Sequence, residues 1–157
     1  MKIYYLSKKK AREIYNKIIE TWPSFELLDK LINIKIFELE KNKNLIIFPT
    51  FKIISNNDFI IPSLNDIQII DKFPFVEVDQ GAIRFICKGA DIMRPGIVNY
   101  NNFKKNDIVA VKEIIYKKYI CIGNAIVNSS DIENINHGKI VKNLHYVGDI
   151  FWKTMME

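Results

Sequence analysis

The chain predicts two domains in sequence: an α+β half, residues 1–72, and a mostly β half, residues 73–157, forming a small, partly open barrel with two short helices. Three observations predict this. The first half opens on one long amphipathic helix and continues in strand-like runs separated by Lys/Asn turns. The second half carries strand-like runs and only two short, capped helical stretches. Between them lies Phe73-Pro74-Phe75, where Pro74 pushes Phe73 towards an extended backbone and marks a junction.

In order, Met1–Leu6 reads as a short strand and Ser7 as a helix N-cap. Ala11, Ile14, Tyr15, Ile18, Ile19 and Trp22 then fall at helical spacing, and Pro23 stops the helix. A second short helix is expected around Phe25–Leu31. Strands follow at Ile34–Glu40, Asn44–Pro49, Phe51–Ile54 and Phe59–Ile61, and Ile67–Lys72 leads into the junction. In the second half a helix is expected over Asp79–Lys88, then a loop to Pro95. Strands are expected at Ile97–Tyr100, Asp107–Ile115, Tyr119–Val127 and Lys139–Val147. A helix over Ser129–Asn136, capped by Ser129 or Ser130 and stopped by Gly138, separates the last two. Ile150-Phe151-Trp152 closes the domain.

Composition bounds the function. Of the 157 residues, 48% are hydrophobic and 26% charged, so a core forms without staples. Net charge is +5 and the sequence pI about 9.1, a basic bias compatible with a polyanionic partner. Charge is shared by the halves: 12 Lys and Arg against 9 Asp and Glu in residues 1–72, and 11 against 9 in 73–157. Placement therefore matters more than totals. Cys87 and Cys121 sit in apolar runs outside any CxxC or CxxH pair, which argues for buried thiols and against zinc. No stretch has the length and apolarity of a membrane span or a signal peptide, so a cytoplasmic protein without membrane association is expected. No P-loop, nucleophile elbow or carboxylate pair stands out, and Ser129-Ser130-Asp131 reads as a helix cap. No catalytic residue, metal ligand or cofactor is assigned, and a non-enzymatic protein is expected.

The candidate site lies in the Asp79–Lys88 helix and the loop after it. Ala82, Ile83 and Ile86 share one helical face, and Arg84 and Lys88, four apart, share the opposite one. Gly89 suits a left-handed C-cap, Arg94 follows in the loop, and Gly96 permits close backbone approach. Lys and Arg charges beside free backbone N–H groups are what phosphate binding needs. A solvated helix face with a structural turn has the same spacing. Lys8-Lys9-Lys10 opposes the macrodipole at a helix start and fits either a partner contact or a frayed turn. His137 and His145 read as turn and strand residues, and Tyr146, Phe151 and Trp152 as core closure rather than base stacking.

Several segments occur in a recognisable order: Gly81-Ala82, Gly89-Ala90-Asp91, Pro95-Gly96-Ile97, Phe103–Val111, Ile122-Gly123-Asn124-Ala125 and Gly138-Lys139-Ile140-Val141. Together they resemble a PUA domain, the RNA-binding module named after pseudouridine synthase and archaeosine transglycosylase. A narrower resemblance is carried by Asp79–Phe85, Gly89–Gly96 and His145-Tyr146-Val147-Gly148-Asp149-Ile150-Phe151-Trp152. Trp22-Pro23, Ile61-Pro62-Ser63-Leu64 and Lys72–Phe75 add to it in the first half. These segments are similar to the malignant-T-cell-amplified-sequence family of translation factors and its archaeal relatives, from which this chain departs in its compact Ile97–Asn106 segment.

The resemblance implies a pre-PUA α+β domain before the PUA pseudo-barrel. It implies a translation or ribosome-associated factor binding tRNA or rRNA, with the small ribosomal subunit as partner and a protein partner on the N-terminal domain. The RNA-binding residues it implies are Arg84, Lys88, Gly89, Ala90, Asp91, Met93, Arg94, Pro95, Gly96 and Lys142. A tRNA-modification accessory role, delivering tRNA to a separate transglycosylase or pseudouridine synthase, and a protein-interaction adaptor are the alternatives.

Overall fold

A computed structural model describes residues 1–23, 30–40 and 42–157. The helix expected around Phe25–Leu31 lies outside the described residues apart from Lys30 and Leu31. The chain divides into two compact units, Met1–Lys72 and Phe73–Glu157.

The first unit begins with β1 (Lys2–Tyr5) and α1 (Lys8–Thr21). Ser7 caps α1 by accepting the Lys10 N–H at 3.2 Å. Trp22 ends the helix, its N–H on Ile18 O and its indole N–H on Ile60 O at 3.0 Å. Ala11 and Ile18 are buried, whereas Ile19, expected on the same face, is exposed. β2 (Lys35–Glu40), β3 (Lys43–Ile47), β4 (Lys52–Ser55) and β5 (Ile60–Pro62) complete an antiparallel sheet in the order β1-β2-β3-β4-β5. Leu45, Ile46, Ile53, Ile54 and Ile61 are buried along it, and Phe48 stacks on Phe51 at 4.5 Å. The short helix α2 (Ile67–Ile70) closes the unit.

The second unit is a six-stranded mixed sheet curled around its own core. Its strands are β6 (Phe75–Val78), β7 (Ile92–Met93), β8 (Ile97–Tyr100), β9 (Ile108–Glu113), β10 (Tyr119–Ala125) and β11 (Lys139–Tyr146). They run in the order β7-β11-β10-β9-β6-β8, with β6 parallel to β9 and the other pairs antiparallel. The mostly β pseudo-barrel class is therefore the observed one. Val76, Val78, Ile86, Ile92, Phe103, Val109, Val111, Ile132 and Ile140 fill its core.

Three details differ from the sequence reading. β6 and β7 are additional strands, short enough that neither shows an alternating pattern. The stretch after Asn128 is a 3-10 helix, Ser129–Asn134, and the Ser129 hydroxyl is not its cap. That hydroxyl accepts the Phe103 N–H and donates to Phe103 O, stapling the loop before β9. The closing segment is also helical, α4 (Ile150–Met156), capped by Asp149. Asp149 accepts the Trp152 and Tyr146 N–H groups and meets the buried His145 Nδ1 at 2.8 Å.

The β9–β10 hairpin is built around a buried carboxylate. Glu113 accepts the N–H groups of Ile115, Tyr116 and Lys118, which turns the chain with Lys117 at a left-handed φ of 58°. Burial alone would raise the Glu113 carboxyl; these three donors outweigh it and hold it below its ordinary value. The same balance lowers Glu77, which binds Lys117 Nζ at 2.6 Å and the Asn99 amide at 2.8 Å.

Candidate nucleic-acid interface

Helix α3 (Gln80–Ile86) begins at Asp79, whose carboxylate accepts the Ala82 N–H at 3.0 Å. Ile86 is buried and Ala82 and Ile83 pack on the core, the face that the 3.6-residue period assigns to it. Arg84 lies exposed on the helix, but Lys88 does not share the helical face expected for it. The helix ends at Ile86, and Lys88 is exposed in the closing turn. Gly89 takes φ +102°, the left-handed conformation that reverses the chain. Among the described residues neither Arg84 nor Lys88 meets a carboxylate.

The expectation of free backbone donors between Gly89 and Gly96 is overturned at Gly89, Ala90 and Arg94. The N–H groups of Cys87, Lys88, Gly89 and Ala90 donate to Ile83, Phe85, Ile86 and Phe85 at 2.9–3.1 Å. Arg94 N–H donates to Gly138 O, and Pro95 has no N–H. The physical reason is the tightness of the turn, which satisfies the helix terminus internally. What the rim presents is side chains and shape.

The turn is clamped from β11 by Asn143, which sequence reading did not single out. Its amide nitrogen donates to Ile86 O at 3.1 Å and Ala90 O at 2.9 Å. Its N–H donates to Asp91 Oδ1 at 2.9 Å, continuing the β7–β11 ladder where β7 stops. Asp91 is thus held within the fold, its other oxygen 3.0 Å from Lys139 Nζ. Burial raises its pKa, but the Asn143 N–H and the charges of Lys139 and Lys142 prevail and lower it.

Arg94 is likewise engaged inside the fold. Its Nε donates to Ile132 O and Ile135 O, both at 3.0 Å, and its Nη1 to Ile97 O at 3.2 Å. It braces the end of the Ser129–Asn134 helix against the start of β8, and its guanidinium is not the free phosphate ligand that loop position suggests. Gly96 is packing-constrained: a Cβ there would lie 3.2 Å from the Ala82 methyl. Lys142 is exposed on β11, Met93 is 44% exposed opposite Lys139 on edge strand β7, and Ala90 and Pro95 are exposed. Of the ten expected residues, the structure leaves Arg84, Lys88 and Lys142 as solvent-facing cations on or around a locked turn.

Sequence reading also missed Phe85. Its ring is 54% exposed and lies 4.8 Å from the Arg84 guanidinium. The available signal was an aromatic displaced from the Ala82/Ile83/Ile86 stripe. The aromatics that were considered behave as core or support: Phe151 is buried, edge-on to His145 at 5.9 Å, and the Tyr146 ring lies beneath Gly89.

A curled mixed sheet with a short helix and a glycine turn at its rim defines a PUA-type domain, and residues 74–147 match the PUA domain family. Over its whole length the chain is similar to an uncharacterized protein of Methanocaldococcus jannaschii, 36% identical and covering 96% of this chain and 95% of that one. It is 30% identical to translation machinery-associated protein 20 of Schizosaccharomyces pombe, covering 93% of this chain and 88% of the relative. A crystal structure of a hypothetical protein from Pyrococcus horikoshii superposes with a TM-score of 0.78 at 28% identity, covering 98% of this chain and 99% of that one. The chain belongs to the PUA-domain family that includes translation machinery-associated protein 20 and the malignant T-cell-amplified sequences. Among the described residues no group of three or more His, Cys, Asp and Glu could hold a metal, and no helix is long and apolar enough to cross a membrane.

Proposed function

We propose that this protein is a non-enzymatic, cytoplasmic RNA-binding factor of the translation machinery that grips structured RNA, tRNA or rRNA, through the α3–β7 rim. The observation that carries this is the pair Arg84 and Lys88. Both are exposed and without a carboxylate partner among the described residues, and both flank a turn that Asn143 locks. Cations fixed on a preorganised backbone bind phosphate with little ordering cost. The whole-chain likeness to translation machinery-associated protein 20 supports the cellular setting. Residues 1–72 form the partner-binding pre-PUA domain in this reading and add a protein or small-subunit contact. Edge strand β1 supports that assignment, with Met1, Ile3 and Tyr5 exposed along one side.

The test is a double substitution, Arg84→Glu with Lys88→Glu, in the full chain. Both side chains face solvent, so circular dichroism should be unchanged while affinity for tRNA falls more than tenfold. The wild-type log–log salt slope should be about 2–3, as for about three phosphate contacts. Unchanged affinity in the folded double variant refutes this placement of the site.

A further inference from the structure

We infer that β1 is a docking edge for an extended segment of another protein, one that alternates apolar residues with carboxylates and adds to the first unit's sheet as a further strand. This rests on the reading of residues 1–72 as a partner-binding domain and names the contact it uses.

The backbone carries the argument. β1 and β2 pair antiparallel in a register that sets Tyr4 against Ile36 and Lys2 against Glu38. Leu6 N–H donates to Ile34 O at 2.8 Å, the next step of that ladder. An antiparallel pair bonds alternate residues, so Lys2, Tyr4 and Leu6 face β2, and the N–H and C=O groups of Ile3 and Tyr5 point away from it. Those groups have no hydrogen-bond partner among the described residues. The opposite edge of the same sheet is closed. There Ser63 N–H donates to Lys52 O, and the register turns Ile60 and Pro62 outward. Pro62 has no N–H, and Ile60 O accepts the Trp22 indole N–H at 3.0 Å. One edge blunted and the other left open mark β1 as the side that takes a strand.

The side chains set the occupant's chemistry. Ile3 and Tyr5 share one face, 48% and 65% exposed, so an incoming strand meets them with apolar residues. Lys2 lies exposed on the other face, its Nζ 5.4 Å from the Tyr4 ring centre. Glu38, its register partner, is taken by the Tyr4 hydroxyl at 2.6 Å, and Lys2 forms no ion pair among the described residues. The alternate residues of the incoming strand therefore meet an unpaired ammonium. Lys8, Lys9 and Lys10 follow at the start of α1, whose first turn holds no carboxylate. Residues 1–23 carry six Lys and Arg against two Glu, so a second copy of this chain would set like charges together, whereas carboxylates offset them. A nucleic acid offsets the charge too, but it lacks the ladder of alternating donors and acceptors that Ile3 and Tyr5 call for.

The probes are two short labelled peptides, valine alternating with glutamate in one and with lysine in the other, titrated into the full chain by fluorescence anisotropy. The glutamate peptide should bind and the lysine peptide should not. In hydrogen exchange, the Ile3 and Tyr5 amides should exchange fast in the free chain and slow by about tenfold or more with the glutamate peptide, while Tyr4 and Leu6 are protected throughout. Ile3→Pro removes only an outward N–H, so its circular dichroism and tRNA affinity should match wild type. It should bind the glutamate peptide roughly tenfold or more weakly, and Ile3→Val, which keeps the N–H, within about twofold of wild type. Lys2→Glu should reverse the preference towards the lysine peptide. Equal peptide binding by Ile3→Pro and wild type, an equal loss in Ile3→Val, or exchange at Ile3 and Tyr5 unmoved by the peptide overturns the inference. So does light scattering that finds a dimer of the full chain lost in Ile3→Pro, which assigns the edge to a second copy. If wild type and Ile3→Pro co-sediment alike with small ribosomal subunits while no peptide binds, the partner-binding reading of residues 1–72 stands and only the edge falls. If neither subunits nor peptides bind the chain, both fall.

Discussion

Replacing Arg94 by Met separates two roles that its sequence position leaves equivalent. The substitution keeps the length of the aliphatic stem and removes the guanidinium. Arg94 Nε donates to the carbonyls of Ile132 and Ile135 at 3.0 Å each, and Nη1 to that of Ile97 at 3.2 Å. Hydrogen bonds from a charged donor contribute roughly 1.5–3 kcal/mol each. Because one nitrogen serves two carbonyls and the residue is half-exposed, two bonds at the lower figure are the appropriate sum, about 3 kcal/mol. A domain of this size shifts by roughly 4–8 °C per kcal/mol, so the melting temperature should fall by roughly 12 °C or more. Thermal unfolding by circular dichroism reads this directly. Arg94→Lys should recover little, because an ammonium lacks the planar fork that reaches three carbonyls on two segments. RNA affinity measured below the transition should stay within about threefold of wild type. The brace is refuted if Arg94→Met melts within about 2 °C of wild type while RNA affinity drops and the salt slope falls by about one unit, the signature of a lost phosphate contact.

Gly123→Ala should cost about 3 kcal/mol, read as a lower denaturant midpoint. The new methyl would collide with the Lys142 carbonyl oxygen and lie 2.6 Å from Val141 Cγ1, forcing β10 and β11 apart at their bulge. Asn143→Ala should destabilise by about 2 kcal/mol, from two lost amide hydrogen bonds, and raise amide exchange at Lys88–Ala90; unchanged exchange there would remove Asn143 as the clamp. Stability should also depend on acid. The carboxyls of Asp91, Glu77 and Glu113 are held below their ordinary values in the folded chain. Their contribution is therefore complete above the unfolded values of about 4 and is lost as pH falls through the folded ones. The melting temperature should be flat from pH 7 to about pH 5 and fall below about pH 4, more shallowly in Glu77→Gln. A steady rise on acidification would contradict this.

The sequence by itself determined a good deal. The Ser7 cap and helical spacing placed α1, and the Ala82/Ile83/Ile86 stripe placed α3, because a capping oxygen and a 3.6-residue apolar stripe are local properties. The ordered Gly, Pro and Asn-Asp turns of the second half carried the resemblance to a PUA domain, since a backbone reversal demands particular residues wherever it occurs. The exposure of Arg84 was legible from its place opposite the apolar stripe, whereas Lys88 is exposed in the closing turn and not on the helical face expected for it. Other features depended on partners far along the chain. β6 is a strand because its edges meet β8 and β9, which four residues of sequence cannot announce. Arg94 and Asp91 look like loop ligands in sequence, yet carbonyls 38 and 41 positions away and an N–H 52 positions away engage them in the fold. Asn143 reads as one more strand residue until it meets the α3 turn. A side chain's residue type and helical face are set locally, but whether a donor, an acceptor or an aromatic ring remains available to a ligand is decided by what the tertiary structure brings against it.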